Sequence, residues 1–464
     1  MSVTNQILRN PAALESDTPL ATQIARAGVA LSWQSLSSEV TEKVKVCLFD
    51  LIGCAFESRD RPWSRQAVLV AERVASGGAT VIGSPHAAPY ADAAFANAVM
   101  GHGLVREDMH SGSISHFGVV VLPTLLALAQ YRKVNGRDFI AATAFGYEVG
   151  GQVGRAVMDA ELARIHRPTG ICGPIAGAAA GARMLGLDVD QTTSAVALGA
   201  NTTSGFNQWA HTGGSEMFFQ VGFAARNSVT AARLAEFGAF ASPSALDGQA
   251  GLFAALRKPS AGAKVKLFAG PAEILSVYHK PVPACNFAQT PCQAALKLAR
   301  EQKFAIARIA SIVVRVPRAG AAYPGCDFAG PYAHILQAKM SIQYNVAAAL
   351  LRGEISEQNF TLLNDPELHH LIGLIKLEID DEMTRAYPHQ QGGEVEVRLL
   401  DGTSHRIHLN DVVNATADDV RARFRSAAEE AVGIPIAREI GSFIEALEQS
   451  DDVGQLGGLL RGLV

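Results

Sequence analysis

A mostly helical protein built from two units is what the sequence predicts, and three observations carry the prediction. Apolar residues recur at helical spacing up to about residue 270, with short connections between segments. The pattern then turns to period-two alternation in ASIVVRVP (310–317) and EVEVRLL (394–400). From Thr416 to Val464 it returns to helical spacing. A chain of 464 residues is also too long for one compact core. The expected architecture is a large all-α helical domain made of 1–270 and 405–464. A smaller α+β domain, 271–404, is inserted before the C-terminal helices.

Taken in order, residues 1–18 read as a polar arm. Pro19–Ser32 and Ser38–Glu57 read as amphipathic helices. The second has Val44, Cys47, Leu48, Leu51, Ile52 and Ala55 on one face. Ser64–Ser76 repeats the pattern, Gly77-Gly78 end it, and Ala79–Gly83 reads as extended. Ala88–Gly101 is a helix of small residues, and 119–157 contains two more helices. The run ICGPIAGAAAGARMLGL after Gly170 suits close helix packing. Its glycines lie inside a helical pattern with no strand before them, so it is no phosphate loop, and GYEVGGQVG (146–154) fails for the same reason. Asp190–Ala200 and Glu216–Gly238 are further helices around the polar connection 201–214. In the second unit, Gln289–Gln302, Ser341–Leu351 and Asp365–Leu374 read as helices. EVEVRLL, Asp401-Gly402 and SHRIHL read as a hairpin.

Composition excludes several function classes. Hydrophobic residues make up 48% and charged ones 18%, which is a well-buried globular chain. The net charge is −4 and no long basic run occurs, so nucleic acid is not an expected partner. No apolar run reaches the length of a membrane span, and no signal pattern opens the chain. The six cysteines, at 47, 54, 172, 285, 292 and 326, form no CxxC pair. Reduced thiols in a cytoplasmic protein are expected.

The densest chemistry lies between two apolar runs, in 96–127. His102, Arg106, Glu107, Asp108, His110 and His116 fall there, in a chain with only 13 histidines. Titratable groups gathered between buried helices suit proton transfer.

Several motifs carry a family resemblance. They are Ala79–Gly83, Ala93–Asn97 and Gly101-His102, then Asp108-x-His110-x5-His116 with Val121-Leu122-Pro123. Pro168-Thr169-Gly170, Gly222-x3-Arg226-Asn227, Lys280-Pro-Val-Pro-Ala-Cys285 and Lys339-x-Ser341-x2-Tyr344-x-Val346-Ala347 come after them. In this order the sequence resembles the MmgE/PrpD family of 2-methylcitrate dehydratases, cis-aconitate decarboxylases and iminodisuccinate epimerases. The resemblance implies an all-α domain with an α+β lid, a homodimer, and a site in the cleft between domains. It implies neither a metal nor an organic cofactor.

The chain departs from the family pattern at identifiable points. Where the family loop reads His-Ala-Leu-Asp-Phe-Asp-Asp, this chain has His102-Gly-Leu-Val105-Arg106-Glu107-Asp108. Phe117 replaces a Pro, Glu216-Met217 a Thr-Lys pair, Asn286 an Arg and Gln289 a His. A further family His aligns with Arg167, or with His166 if one residue is inserted.

The resemblance implies proton removal or addition at the carbon beside a carboxylate. Asp108, His110, His116 and Lys280 are the expected catalytic residues. His110 and His116 would exchange protons, and Asp108 would orient a His. His102, Arg106, His166, Arg167, Cys285 and Tyr344 are expected to bind substrate, Arg167 as a carboxylate clamp. Each has a plainer alternative. The loop residues can cap helices, Lys280 can form an interdomain salt bridge, Cys285 can be a buried thiol, and Tyr344 can be core. A metal held by His110 and His116 has little support, because the spacing is not that of a helical zinc pair. The expected activity is a cofactor-independent lyase, a dehydratase or decarboxylase of a small di- or tricarboxylate. An epimerase of an amino or imino dicarboxylate is the alternative. An inactive binding relative is a second alternative, of a different class.

Overall fold

The computed structural model describes residues 18–461 apart from 72, 74–76, 303 and 362. Most of the arm expected at 1–18 and the end of the helix expected at 64–76 lie outside the described residues. The chain is mostly helical. No described helix is long and apolar enough to cross a membrane.

The first two helices are Leu20–Ala30 and Ser38–Ser58, the latter capped by the Ser37 hydroxyl accepting from the Val40 amide. Pro62 opens the next helix, which runs to Val70. The extended segment after Gly77-Gly78 is a two-residue strand, Ala79–Thr80, paired with Ala87–Ala88. Tyr90–His102 and Gly118–Tyr131 then flank the polar loop.

The small-residue helix Pro168–Met184 is the centre of the helical mass. Gly136–Val157, Val189–Asn201 and Glu216–Glu236 pack around it. Its glycines permit that approach. A Cβ on Gly177 would lie 2.3 Å from Ser228 Oγ, closer than packed atoms tolerate.

The second region holds a four-stranded mixed sheet, in the order Ile375–Ile379, Ile309–Val316, Gly393–Leu399, Ser404–Leu409. The expected hairpin is present and antiparallel, with Gly393 opposite Leu409 and Arg398 opposite Ser404. Its last strand runs past position 404, where the change of pattern suggests a boundary. The strand Ile375–Ile379 is not among those the sequence predicts. It has five residues, comes directly after the helix Pro366–Gly373, and forms a half-buried parallel edge. Beyond the sheet, Ala417–Val432 returns to the first region and lies along Ser38–Ser58. There a Cβ on Gly53 would lie 3.0 Å from the Phe424 backbone.

Candidate active site

The polar loop between His102 and Gly118 is buried along most of its length. A two-residue ribbon clamps it: Met109 pairs with Tyr278 and His110 with Val277. That ribbon brings the next residues, His279 to Cys285, against the loop. The Lys339 ammonium reinforces the junction by donating to Leu104 O at 2.9 Å and Pro283 O at 2.8 Å, and it also pairs with Glu357. Two β-branched residues in the loop, Val105 (φ 59°) and Ile114 (φ 53°), adopt the left-handed conformation. Each such residue costs on the order of 1–3 kcal/mol, and both line one narrow cavity.

Glu107 stands at the centre of the cluster. Its Oε1 lies 2.5 Å from His102 Nδ1 and 2.9 Å from His116 Nδ1. Partner chemistry fixes both tautomers. His116 Nδ1 is also 3.0 Å from the Asp108 backbone carbonyl, which only accepts, so Nδ1 carries the proton. His102 Nε2 is 3.1 Å from an Arg167 guanidinium nitrogen, which only donates, so the His102 proton sits on Nδ1 as well. Two ring protons thus converge on one carboxylate, and His116 Nε2 is left as a base.

The charges agree with this arrangement. Burial raises the Glu107 carboxyl, but His102, Lys280 and His116 outweigh it and hold the group well below its ordinary value. Burial, together with Lys280, pushes the His116 pKa down to about 3 against the pull of Glu107. Burial lowers His102 in the same way. Both rings are neutral near pH 7.

Arg167 and Lys280 supply the positive charge. Arg167 precedes the central helix, and its guanidinium reaches His102 and, at 3.4 Å, the Tyr323 hydroxyl. Its buried Nε has no partner. Lys280 is fully buried and donates to Ala284 O at 3.3 Å; burial lowers its pKa, opposed by Glu107 and Cys285. Cys285 Sγ lies 3.5 Å from Cys326 Sγ. Burial raises the Cys285 thiol, but Cys326, the Phe287 amide, Lys280 and Arg167 bring it below its usual value. His116, Arg167, Cys285 and Tyr323 all line the cavity.

Several expected residues lie elsewhere. His110 does not meet His116 as a proton-exchange partner. Its Nδ1 is 2.7 Å from Ser113 Oγ and its Nε2 is 2.7 Å from Glu273 Oε2, in a separate network with Arg155. Phe117, packed on His110 with ring centroids 5.6 Å apart, fills that region. The Asp108 carboxylate orients no histidine. It accepts from the Gly118 amide at 3.1 Å and the Tyr147 hydroxyl at 2.6 Å, and burial raises its pKa to about 6. Gly118 is required there, since a Cβ would lie 2.6 Å from Asp108 Oδ1.

Arg106 turns outward to Glu57, with contacts of 3.1 and 2.5 Å. His166 packs on Phe206 and lines an outer groove with Asp159 and Lys258, so Arg167 is the member of that pair that faces the cavity. Tyr344 is core, donating to Asn359 O at 2.7 Å and stacked on Phe360. Among the residues to which the sequence assigns no role, Glu107 occupies the centre of the network. Asp50 and His279 form a further buried pair, 3.0 Å apart.

The ligand atoms of His102, Glu107 and His116 lie within 4.8 Å of one another, close enough to hold a cation. A metal there would displace both ring protons and sit near the Lys280 and Arg167 charges. The set suits protons better.

Residues 22–262 match the MmgE/PrpD N-terminal domain, and residues 282–449 match the C-terminal domain. The cis-aconitate decarboxylase-like protein oryM of Aspergillus oryzae is 28% identical, over 92% of this chain and 94% of its own length. The cis-aconitate decarboxylase of Aspergillus terreus is 24% identical over 93% and 94%. The mouse cis-aconitate decarboxylase is 24% identical over 80% and 78%. The chain belongs to the MmgE/PrpD family.

Proposed function

We propose that the protein is a lyase that moves a proton at the carbon beside a carboxylate, in a dehydration or a decarboxylation. The observation that carries this reading is the pair of Nδ1 protons converging on Glu107. It leaves His116 Nε2 as a base in a cavity whose lining includes the Arg167 guanidinium. In this reading Arg167 and Tyr323 receive the carboxylate. In a dehydration His116 Nε2 takes the α-proton, and the β-hydroxide leaves as water with a proton from solvent. In a decarboxylation the C–C bond to CO2 breaks, and the carbon takes up a proton passed from solvent through the His116 imidazolium. Glu107 stabilises that imidazolium in both. Lys280 adds positive charge as negative charge builds on the substrate. The chemistry as read uses side chains alone, without a cofactor.

A two-base epimerase has less support, because the second ring in the cluster has its Nε2 engaged by Arg167. An inactive relative has less support as well. Buried, unpartnered atoms such as Glu107 Oε2 and Arg167 Nε are costly in a purely structural subunit. The sheet-bearing region acting as a lid, a homodimer and a cytoplasmic location belong to the same reading. Six free, buried thiols are in keeping with the last of these.

The test is incubation in deuterium oxide with a panel of mono-, di- and tricarboxylic acids, followed by proton NMR. Loss of an α C–H signal with a new alkene or released CO2, abolished in His116→Ala, is the expected result. Exchange with inversion and no elimination would replace the lyase reading with the epimerase. No exchange with any acid would refute both.

A further inference from the structure

Two of the six thiols stand apart from the rest. Cys285 and Cys326 are 41 residues apart in the chain, yet their Sγ atoms lie 3.5 Å from each other. One short segment holds both backbones. The Cys285 amide donates to Lys339 O at 2.9 Å, and the Cys326 carbonyl accepts from the Ile342 amide at 2.9 Å. A disulfide needs its sulfurs about 2.05 Å apart, so a closure of about 1.5 Å shared by two side chains joins this pair.

The surroundings give the two thiols different roles. Burial opposes ionisation of Cys285, but Cys326, the Phe287 amide, Lys280 and Arg167 together favour its thiolate. Cys326 is fully buried, and burial with Cys285 beside it keeps its thiol protonated. Burial also holds Cys47, Cys54, Cys172 and Cys292 in the thiol form. Only a small molecule has a route to the pair. Cys285 lines the cavity beside His116, which at about 20 Å³ has room for about one water. Ile114, Phe287 and Tyr323 separate that cavity from an outer chamber of about 160 Å³ and line both.

We infer that Cys285 and Cys326 form a redox modification site whose oxidant is a small hydroperoxide, hydrogen peroxide being the simplest. The Cys285 thiolate attacks one peroxide oxygen, the O–O bond breaks, and a sulfenic acid forms on Cys285 as hydroxide leaves. The Cys326 sulfur then attacks the sulfenic sulfur. The S–O bond breaks, and the departing oxygen takes the Cys326 thiol proton and leaves as water. The peroxide accepts two electrons, one from each sulfur, and a dithiol reverses the change. The turn at Cys326 carries Tyr323, since the Cys326 amide donates to Tyr323 O at 3.1 Å. The bridge therefore ties Tyr323 to the segment that carries Lys280 and removes the thiolate facing Lys280 and Arg167. That it acts on the groups receiving the carboxylate rests on the lyase reading; the bridge itself does not.

The test treats the full-length protein with graded hydrogen peroxide, alkylates it, digests it without reduction and maps the peptides by mass spectrometry. A linked Cys285–Cys326 peptide is the expected result. It forms at least tenfold faster than any change at Cys47, Cys54, Cys172 or Cys292 and disappears with dithiothreitol. In Cys326→Ser the sulfenic acid persists, and dimedone labels Cys285 at least fivefold more than in the wild type. Should that variant not fold, the wild-type map decides alone. The inference is overturned if Cys285 and Cys326 stay reduced at peroxide levels that oxidise the protein's methionines. Conversion of Cys285 to sulfinic acid with no bridge overturns it as well. A bridge in a protein whose reduced form exchanges deuterium with no acid leaves the inference standing and removes the lyase reading instead.

Discussion

Glu107→Gln isolates the charge at the centre of the network. Gln keeps the size of Glu and an acceptor oxygen for the two Nδ1 protons, which lie 2.5 and 2.9 Å from Oε1. What it removes is the anion facing the imidazolium that forms on His116. Two unit charges about 3 Å apart interact by about 5 kcal/mol at an effective dielectric constant of about 20. Imidazolium charge is spread over the ring, so only part of this reaches the transition state. A loss of about 3 kcal/mol, or about a hundredfold in kcat, is the expected outcome. The substrate KM should fall, because the site gains net positive charge while Arg167 is untouched. The assay is initial-rate kinetics on an acid that the wild type turns over, with a circular dichroism melt to show a folded protein. A folded variant with kcat within about threefold of wild type would refute the role given to Glu107.

Three further outcomes are expected from the same geometry. His110→Ala removes one partner of a buried pair with Glu273, so the melting point falls by the equivalent of about 2–4 kcal/mol while turnover per folded molecule stays within about threefold. Asp108 is raised by burial from 3.8 to about 6, so its contribution to stability is complete below pH 3.8 and is lost as pH rises to 6. Asp108→Asn should therefore gain on wild type across that window, by on the order of 3 kcal/mol, in melts taken at pH 4 and pH 7. Lys339→Met leaves two buried carbonyls without their donor and Glu357 with Arg61 alone, and urea titration should show a loss of about 2–4 kcal/mol.

Much of this is legible in the sequence. Helical spacing locates the long helices of the first region but not the short ones at Ala160–Ile165, Trp209–Thr212 and Leu252–Ala255, and the alternation with Asp401-Gly402 locates the hairpin but not its register. The crowding of titratable residues between two apolar runs locates the site. Roles within the loop are not legible, because they depend on which way each side chain turns. Left-handed backbone at Val105 and Ile114 turns the loop, and no residue pattern announces that conformation in β-branched residues. As a result Glu107 faces two histidines, while neighbouring Asp108 faces Tyr147. His110 and His116 read as a pair by spacing, yet they lie in separate networks. At 166 and 167 an isolated bridge from His166 to Phe206 directs the two side chains to different sides. Two departures from the family pattern, Val105 and Met217, gain meaning only from finding both on the same cavity wall.

The tautomer of His116 tests the central claim most directly. Proton–nitrogen correlation spectra of the protein with ring-15N histidine report it, with the signal assigned by its loss in His116→Gln. At pH 7 a neutral ring with its proton on Nδ1 and a bare Nε2 is the expected result. A proton on Nε2, or a fully protonated ring, would leave His116 without a lone pair for the substrate and would contradict the account.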